Sequence, residues 1–358
     1  MSGEPNYREA KLTYITNGPV DTAFRIRRSE EDRVWELIVN SDPYIPLCCG
    51  RQTGKTTLMY QLRDRLRADG FGAVYLYLGN MSDLGPPRFY EVVCEDILQQ
   101  VPSCFGNNVP PVIPKNVTDQ PAFVDFMEWL ATRSMRCTKI VIMLDEVGGV
   151  PHDFANSFWG GLRSIFTQKG SFRRLMFVLA GELDMSALAT GDNSPLANVC
   201  VTPFVDLADF SRDQVEEVVK AGLPNSAALV DAVYGWTSGH PYLTQKLCAV
   251  IARDIAATPA LWTAETPLDR VDDLVSAYFL DREDSNLLHL QNFLNEAPAY
   301  RERVRRILSG DLMRSTPRNR DLGVLGIIKP GPHNMYGIRN RIYELAMRNY
   351  LEDYPEAK

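Results

Sequence analysis

Ile45-Pro46-Leu47-Cys48-Cys49-Gly50-Arg51-Gln52-Thr53-Gly54-Lys55-Thr56-Thr57-Leu58 is the stretch that decides the fold. An apolar run ends in a loop bearing Gly50 and Gly54, and Lys-Thr-Thr opens an amphipathic segment reaching Leu66. Strand, loop and helix in that order are the setting a phosphate-binding loop needs. Glycine lets the backbone curl around an anion, so that several N–H groups of the loop, here Gly50, Arg51, Gln52, Thr53 and Gly54, point inward. The helix N-terminus at Lys55, Thr56 and Thr57 adds its partial positive charge. The spacing puts Lys55 on the outer phosphates and the Thr56 hydroxyl on Mg²⁺. The usual pattern is G-x-x-x-x-G-K-[ST]; here Cys49 stands at its first glycine and Gly50 comes one place late. Pro46 falls inside the strand, where it removes one ladder hydrogen bond.

Further along, Lys139-Ile140-Val141-Ile142-Met143-Leu144-Asp145-Glu146 runs five apolar residues straight into two carboxylates. A parallel strand buried on both faces reads this way, and ligands of open α/β sheets bind beyond the carboxyl ends of such strands. Asp145 is therefore expected in the Mg²⁺ shell, with Glu146 polarising an attacking water.

Working outward, residues 1–22 read as an extended lead-in, followed by Arg25, Arg27 and Arg28 and an acidic helix start, Ser29-Glu30-Glu31-Asp32. A helix from Thr56 to Ala68 closes at Gly70, Ala73–Leu78 is a buried strand, and a helix near Phe89–Gln100 precedes a proline-rich loop over 102–121. A helix near Phe154–Gln168 leads to another buried strand over Arg173–Glu182, where Gly181 and Glu182 stand near the point at which many ring-forming ATPases carry a polar γ-phosphate sensor. Arg173 and Arg174 read as surface charges at its start, with trans-acting fingers as the alternative. Val199–Val205 is expected as a fifth strand, Pro203 marking its edge. Ser211 with Gln214 fits a capping box, and Trp236 to Gln245 spans a helix–turn–helix corner with Pro241 at the first helical position. Helices near Asn286–Asn295, Ala299–Leu308 and Arg318, a hairpin around Gly331–Asn334 and a helix after Asn340 suggest a winged-helix module. Between Arg301 and Arg348 eleven basic residues face four acidic ones.

With 358 residues and 45% hydrophobic content the chain has room for two or three domains with full cores. A net charge of −7 gives no overall basic field for nucleic acid. Seven scattered cysteines, two of them adjacent at Cys48 and Cys49, make no disulfide framework and point to a reducing cytoplasm. No apolar run approaches membrane-spanning length.

Together these stretches resemble the bacterial AAA-like ATPases grouped with the STAND class of signal-transduction NTPases. The resemblance rests on Arg51 to Leu58, on Phe172-Arg173-Arg174-Leu175 with Phe177-Val178-Leu179, and on Gly239-His240-Pro241-Tyr242-Leu243-Thr244-Gln245-Lys246-Leu247. Leu325-Gly326-Ile327-Ile328 and Ile338-Arg339-Asn340-Arg341-Ile342-Tyr343 add to it. That family's loop often lacks the first glycine, which accommodates Cys49. The resemblance implies an α/β P-loop NTPase core with five parallel strands in the order 5-1-4-3-2, a helical lid and a C-terminal winged helix. The boundaries would be a lead-in and helix over 1–40, the core over 41–208, the lid over 209–280 and the winged helix over 281–358. It also implies that Gly239, His240 and Pro241 form a corner packing on the nucleotide base, and that Arg28 contacts nucleotide from before the core.

The expectation is an ATP/ADP- and Mg²⁺-dependent switch with slow hydrolysis, acting in bacterial signalling or defence. Its protein partners would carry sensor and effector in other chains, and activation would bring a homo-oligomer. The alternative is a DNA-directed ATPase, a transposition or replication loader, binding DNA through the basic winged helix.

Overall fold

The computed structural model describes residues 14–16, 18, 20, 25–40, 43–105, 116–168, 170–182, 188, 196, 204–224, 227–262, 267–282, 284–316, 323 and 325–354. They fall into two compact units. One is built on a parallel sheet and comprises Arg27–Cys48 and Lys55–Leu207; the other is mainly helical and comprises Met1–Ile26, Cys49–Gly54 and Ala208–Lys358.

In the sheet unit, α1 (Ser29–Val39) precedes β1 (Tyr44–Cys48), followed by α2 (Lys55–Ala68), β2 (Gly72–Tyr77), α3 (Pro86–Gln100), α4 (Gln120–Arg133), β3 (Ile140–Asp145), α5 (Ala155–Gln168) and β4 (Leu175–Gly181). The strands lie in the order β1-β4-β3-β2, all parallel. Every residue of β1, β3 and β4 is buried, as expected of strands covered on both faces. The register aligns Gly72 with Ile140 at one end and Tyr77 with Asp145 at the other, so Asp145 ends its strand on the carboxyl edge of the sheet. Tyr44 stacks on Phe177 between neighbouring strands, and Phe89, Tyr90, Phe123 and Phe158 pack edge-on or tilted beneath the sheet.

Four strands pair here among the described residues, not the expected five. Residues 199–203 lie outside the described residues, and Val205 makes a single parallel bridge to Leu47. Pro46 takes nothing from the β1–β4 ladder, for a geometric reason. Its carbonyl accepts from Val205 N, 2.9 Å, and a strand residue's N–H and C=O point the same way, so the missing N–H faces away from β4.

The helix α4 was not anticipated; its start falls in the stretch read as a loop over 102–121. The Asp119 side chain caps it, accepting from Ala122 N, and Pro121 stands in its first turn. Phe123, Phe126, Met127 and Leu130 then form a buried face at helical spacing. Residues 106–115 of that loop lie outside the described residues.

In the helical unit, α6 (Arg212–Lys220) opens with the expected capping box: Gln214 N donates to Ser211 Oγ and Ser211 N to Gln214 Oε1. Next come α7 (Ala227–Thr237), α8 (Pro241–Ala257) and α9 (Pro267–Val275), the last running into a single π-helical turn at Ser276–Leu280. Then follow α10 (Ser285–Glu296), α11 (Pro298–Leu308), an antiparallel hairpin of β5 (Ile328–Pro330) and β6 (Tyr336–Ile338), and α12 (Arg341–Glu352). The helix expected near Arg318 lies outside the described residues. One apolar core joins these elements, from Val215 and Leu243 through Val271 and Leu290 to Ile342 and Met347.

The basic excess near the C-terminus is largely engaged inside this unit. Lys329 and Arg339 both bind Asp209, at 3.0 and 2.7 Å. Arg305 pairs with Glu302, Arg306 with Asp311 and Arg348 with Glu344, while the Arg341 guanidinium sits 3.9 Å above the Trp236 ring. Burial opposes charge on Asp209, but the buried Arg339 guanidinium outweighs it and holds the carboxyl at about 2.

Candidate functional site

The chemistry-bearing residues of the sheet unit gather where β3 and β4 end and α2 begins. Lys55 and Thr56 occupy the first turn of α2, Asp145 ends β3, Glu146 follows it, and Glu182 follows β4. Thr56 Oγ1 donates to Asp145 Oδ2 across 2.6 Å. Tyr75 OH donates to the same oxygen at 2.9 Å, and Glu146 N donates to Asp145 Oδ1 at 3.1 Å. Asp145 is wholly buried; such a carboxylate is tolerated only when hydrogen bonds replace its water, and these three do so. Burial next to Asp145 pushes the Tyr75 phenol far above its ordinary value, which keeps it a donor.

Thr56 and Asp145 supply a hydroxyl and a carboxylate, hard oxygen donors already side by side. Mg²⁺ takes few protein ligands of this kind and completes its shell with water and phosphate, so the donor set fits the ion.

Lys55 is buried, 5% exposed, with its ammonium 3.9 Å from Glu182 Oε1. The Glu182 contact with Lys55 was not foreseen: in the sequence Glu182 stands only at the end of a strand, near the place of a γ-phosphate sensor. Glu146 is partly exposed and adopts a left-handed backbone, φ 54° and ψ 59°. Tyr75 too was missed, because in the strand Ala73–Leu78 it reads as one more apolar residue. Its one polar cue was a lone hydroxyl.

The loop residues before Lys55 have the backbone that such a loop needs. Gln52 and Gly54 have φ of 58° and 91°, Thr53 is fully buried, and its hydroxyl donates to Gly50 O at 2.8 Å and lies 3.2 Å from Cys49 Sγ. Cys49 thus fills the first glycine's place as a small packed thiol. Arg51 is turned elsewhere: its Nη1 lies 2.9 Å from His289 Nδ1, and since arginine can only donate, Nδ1 accepts. Thr57 is the third residue of α2 and half-buried. Arg28 is buried just ahead of α1, its carbonyl accepting from Glu31 N.

The corner Gly239-His240-Pro241 belongs to the helical unit. Gly239 has φ 76°, and a Cβ there would meet Phe210 O at 1.9 Å, so only glycine fits. His240, fully buried, caps α8 through Nδ1 to Leu243 N and meets Tyr343 OH through Nε2 at 3.2 Å; Tyr343 in turn donates to Asn286 Oδ1 at 2.6 Å. Pro241 is buried at the first position of α8. Arg174 lies at the opposite end of β4 from Glu182, donating to Ser134 O and Cys137 O. Arg173 is exposed.

A family model described as AAA-like domain matches residues 15–298. This chain belongs to the AAA-like domain family. Among curated proteins it resembles an uncharacterised WD repeat-containing protein of Synechocystis, with 22% identity over 273 residues, covering 73% of this chain. The chain spans only 22% of that protein's length. Among solved structures it resembles the Walker-type ATPase PABY2304 of Pyrococcus abyssi, with a TM-score of 0.63 at 15% identity, covering 92% of this chain and 98% of that one. It also resembles the Aeropyrum pernix ORC2 protein, solved as ADPNP and ADP complexes, with a TM-score of 0.53 at 12% identity over 97% and 98% of the two chains. At such identities these likenesses show the fold, that of an AAA-like P-loop ATPase. No helix among the described residues is long and apolar enough to cross a membrane.

Proposed function

We propose that this AAA-like chain is a Mg²⁺-dependent, ATP-binding and slowly hydrolysing switch of the STAND type, serving bacterial signalling or defence. The observation that carries the reading is the Thr56–Asp145 hydrogen bond beside buried Lys55. It sets a phosphate-loop hydroxyl, a strand-end carboxylate and a cation at the carboxyl edge of a parallel sheet. Gly50, Arg51, Gln52, Thr53, Gly54 and Thr57 would complete the phosphate cradle with backbone N–H groups and the helix N-terminus. Thr56 and Asp145 would hold Mg²⁺, which when bound neutralises phosphate charge. Lys55 binds the outer phosphates, and Glu146 accepts a proton from the attacking water and orients it. Arg28 and the Gly239-His240-Pro241 corner would contact the nucleotide from outside the cradle.

In this reading Val205 belongs to a fifth strand beside β1, residues 209–280 form the lid, and 281–358 form a winged helix around the β5–β6 hairpin. ATP and ADP favour different arrangements of these parts, and a ligand shifts such an equilibrium only by its differential affinity for the two. The WD repeats named in the Synechocystis relative support work alongside a repeat-built sensor, and a homo-oligomer would form on activation. The DNA-directed reading loses ground because several described basic residues of the C-terminal stretch are engaged within the chain, Lys329 and Arg339 with Asp209 above all. Steeply salt-dependent binding to a duplex would restore it.

The deciding experiment is titration calorimetry of ATP and ADP against the parent chain and Lys55→Ala, with and without Mg²⁺. Binding by the parent and none by the variant is expected. Equal affinity in a well-folded Lys55→Ala overturns the phosphate-loop assignment.

A further inference from the structure

At the end of the sheet away from Asp145, two cysteines from separate segments converge. Cys104 lies in a single 3₁₀ turn after α3 (Pro102–Phe105), and Cys137 lies between α4 and β3. Their backbones are side by side, Arg136 N donating to Cys104 O at 3.1 Å. Both thiols lie against Gly72, the first residue of β2: a Cβ there would come within 2.8 Å of Cys104 Sγ and 3.4 Å of Cys137 Sγ. Glycine at this position leaves room for the two sulfurs. Arg174 reaches the same spot, its Nη2 bound to Ser134 O at 2.6 Å and Cys137 O at 2.8 Å, while Cys137 Sγ donates to Ser134 O.

We propose that Cys104 and Cys137 are a peroxide-sensitive dithiol that closes to a reversible disulfide, a modification site separate from the nucleotide cradle. The thiolate is the reactive form of cysteine, and a neighbouring cation favours it. The interaction with Cys104 holds the Cys137 thiol below its ordinary value against the effect of burial, with the Gly72 backbone and Arg174 assisting, and the same interaction pushes Cys104 up. Cys137 is also the more accessible of the two, 7% exposed against 1% for Cys104, so peroxide meets Cys137 first and Cys104 resolves it. Elsewhere, burial pushes the Cys94 and Cys248 thiols up.

The reaction balances with a hydroperoxide as oxidant. The Cys137 thiolate attacks the peroxide O–O bond, forming S–O and expelling hydroxide or alkoxide, so sulfur loses two electrons and the peroxide gains them. Cys104 then gives up its proton and attacks the Cys137 sulfenic sulfur; the S–S bond forms and water leaves with that proton. In a reducing compartment thiol exchange reverses the bond, and disulfides in such places are typically transient and sensory.

The test treats the reduced full-length chain with a slight excess of hydrogen peroxide and maps the peptides. A Cys104–Cys137 cross-link as the first product, reversed by dithiothreitol, is expected. Cys104→Ser should leave Cys137 as a dimedone-reactive sulfenic acid, and Arg174→Lys should slow the cross-link several-fold. A first cross-link through any other cysteine, over-oxidation of Cys137 while Cys104 stays a thiol, or no reaction overturns the proposal. If a variant fails to fold, the peptide map of the unsubstituted chain still decides.

Discussion

Glu182 Oε1 lies 3.9 Å from Lys55 Nζ, an acid facing the one side-chain cation expected on the outer phosphates. An arriving phosphate competes with that carboxylate for the lysine and feels its negative charge as well. Glu182 is 27% exposed, so water screens much of the effect. Glu182→Gln should therefore tighten ATP by about 1 kcal/mol, roughly fivefold, and tighten ADP less, because the γ-phosphate carries the extra charge. Calorimetry with both nucleotides checks this; equal gains for ATP and ADP would show that Glu182 does not face the terminal phosphate.

Glu146→Gln should keep ATP bound and stop turnover. The amide preserves shape and loses the basicity that takes a proton from water, an effect of about 10²-fold or more. Single-turnover phosphate release measures it, and hydrolysis at the parent rate would exclude Glu146 as the base.

Asp209 gives the helical unit an acid-sensitive clasp. Its folded value of about 2 lies below the ordinary 3.8, so it adds stability above about pH 4 and loses it as pH falls from there towards 2. The shift is worth about 2 kcal/mol. Asp209→Asn should flatten this part of the stability–pH curve and destabilise at neutral pH, since buried Arg339 keeps its charge and loses its partner. Denaturant melts from pH 7 to 2 make the comparison. A variant with the parent's acid profile would remove Asp209 from the account.

Pro241→Ala should weaken ADP by about 1–2 kcal/mol, the worth of a small buried apolar contact, while His240 continues to cap α8. If ADP affinity stays unchanged in a folded Pro241→Ala, the corner is purely architectural.

The sheet could be read because β3 and β4 carry unbroken apolar runs that nothing but double-sided burial requires, and Asp145 announces itself by ending one of them. The loop-to-helix spacing put Lys55 and Thr56 at the start of a helix, and the fold has them in the first turn of α2. Tyr75 and Glu182 were not legible: Tyr75 reaches Asp145 from the neighbouring strand, through the parallel register, and Glu182 reaches the helix residue Lys55 from 127 positions further along the chain. The helix α4 escaped because the prolines before it masked its Asp119 cap. The basic C-terminal stretch could be read as an open positive surface or as charge paired with acids of residues 209–280, and the fold shows Lys329 and Arg339 on Asp209 and Arg341 over Trp236.

Glu146 holds a backbone conformation that side-chain-bearing residues rarely adopt, φ 54°. Left-handed geometry at a non-glycine position stores on the order of 1 kcal/mol or more, and glycine would release it. A screen that selects this chain for heat resistance alone should therefore enrich Glu146→Gly and, with Glu146 as the proposed base, cost the proposed hydrolysis in the same step. Thermal tolerance and turnover would trade against each other at one codon.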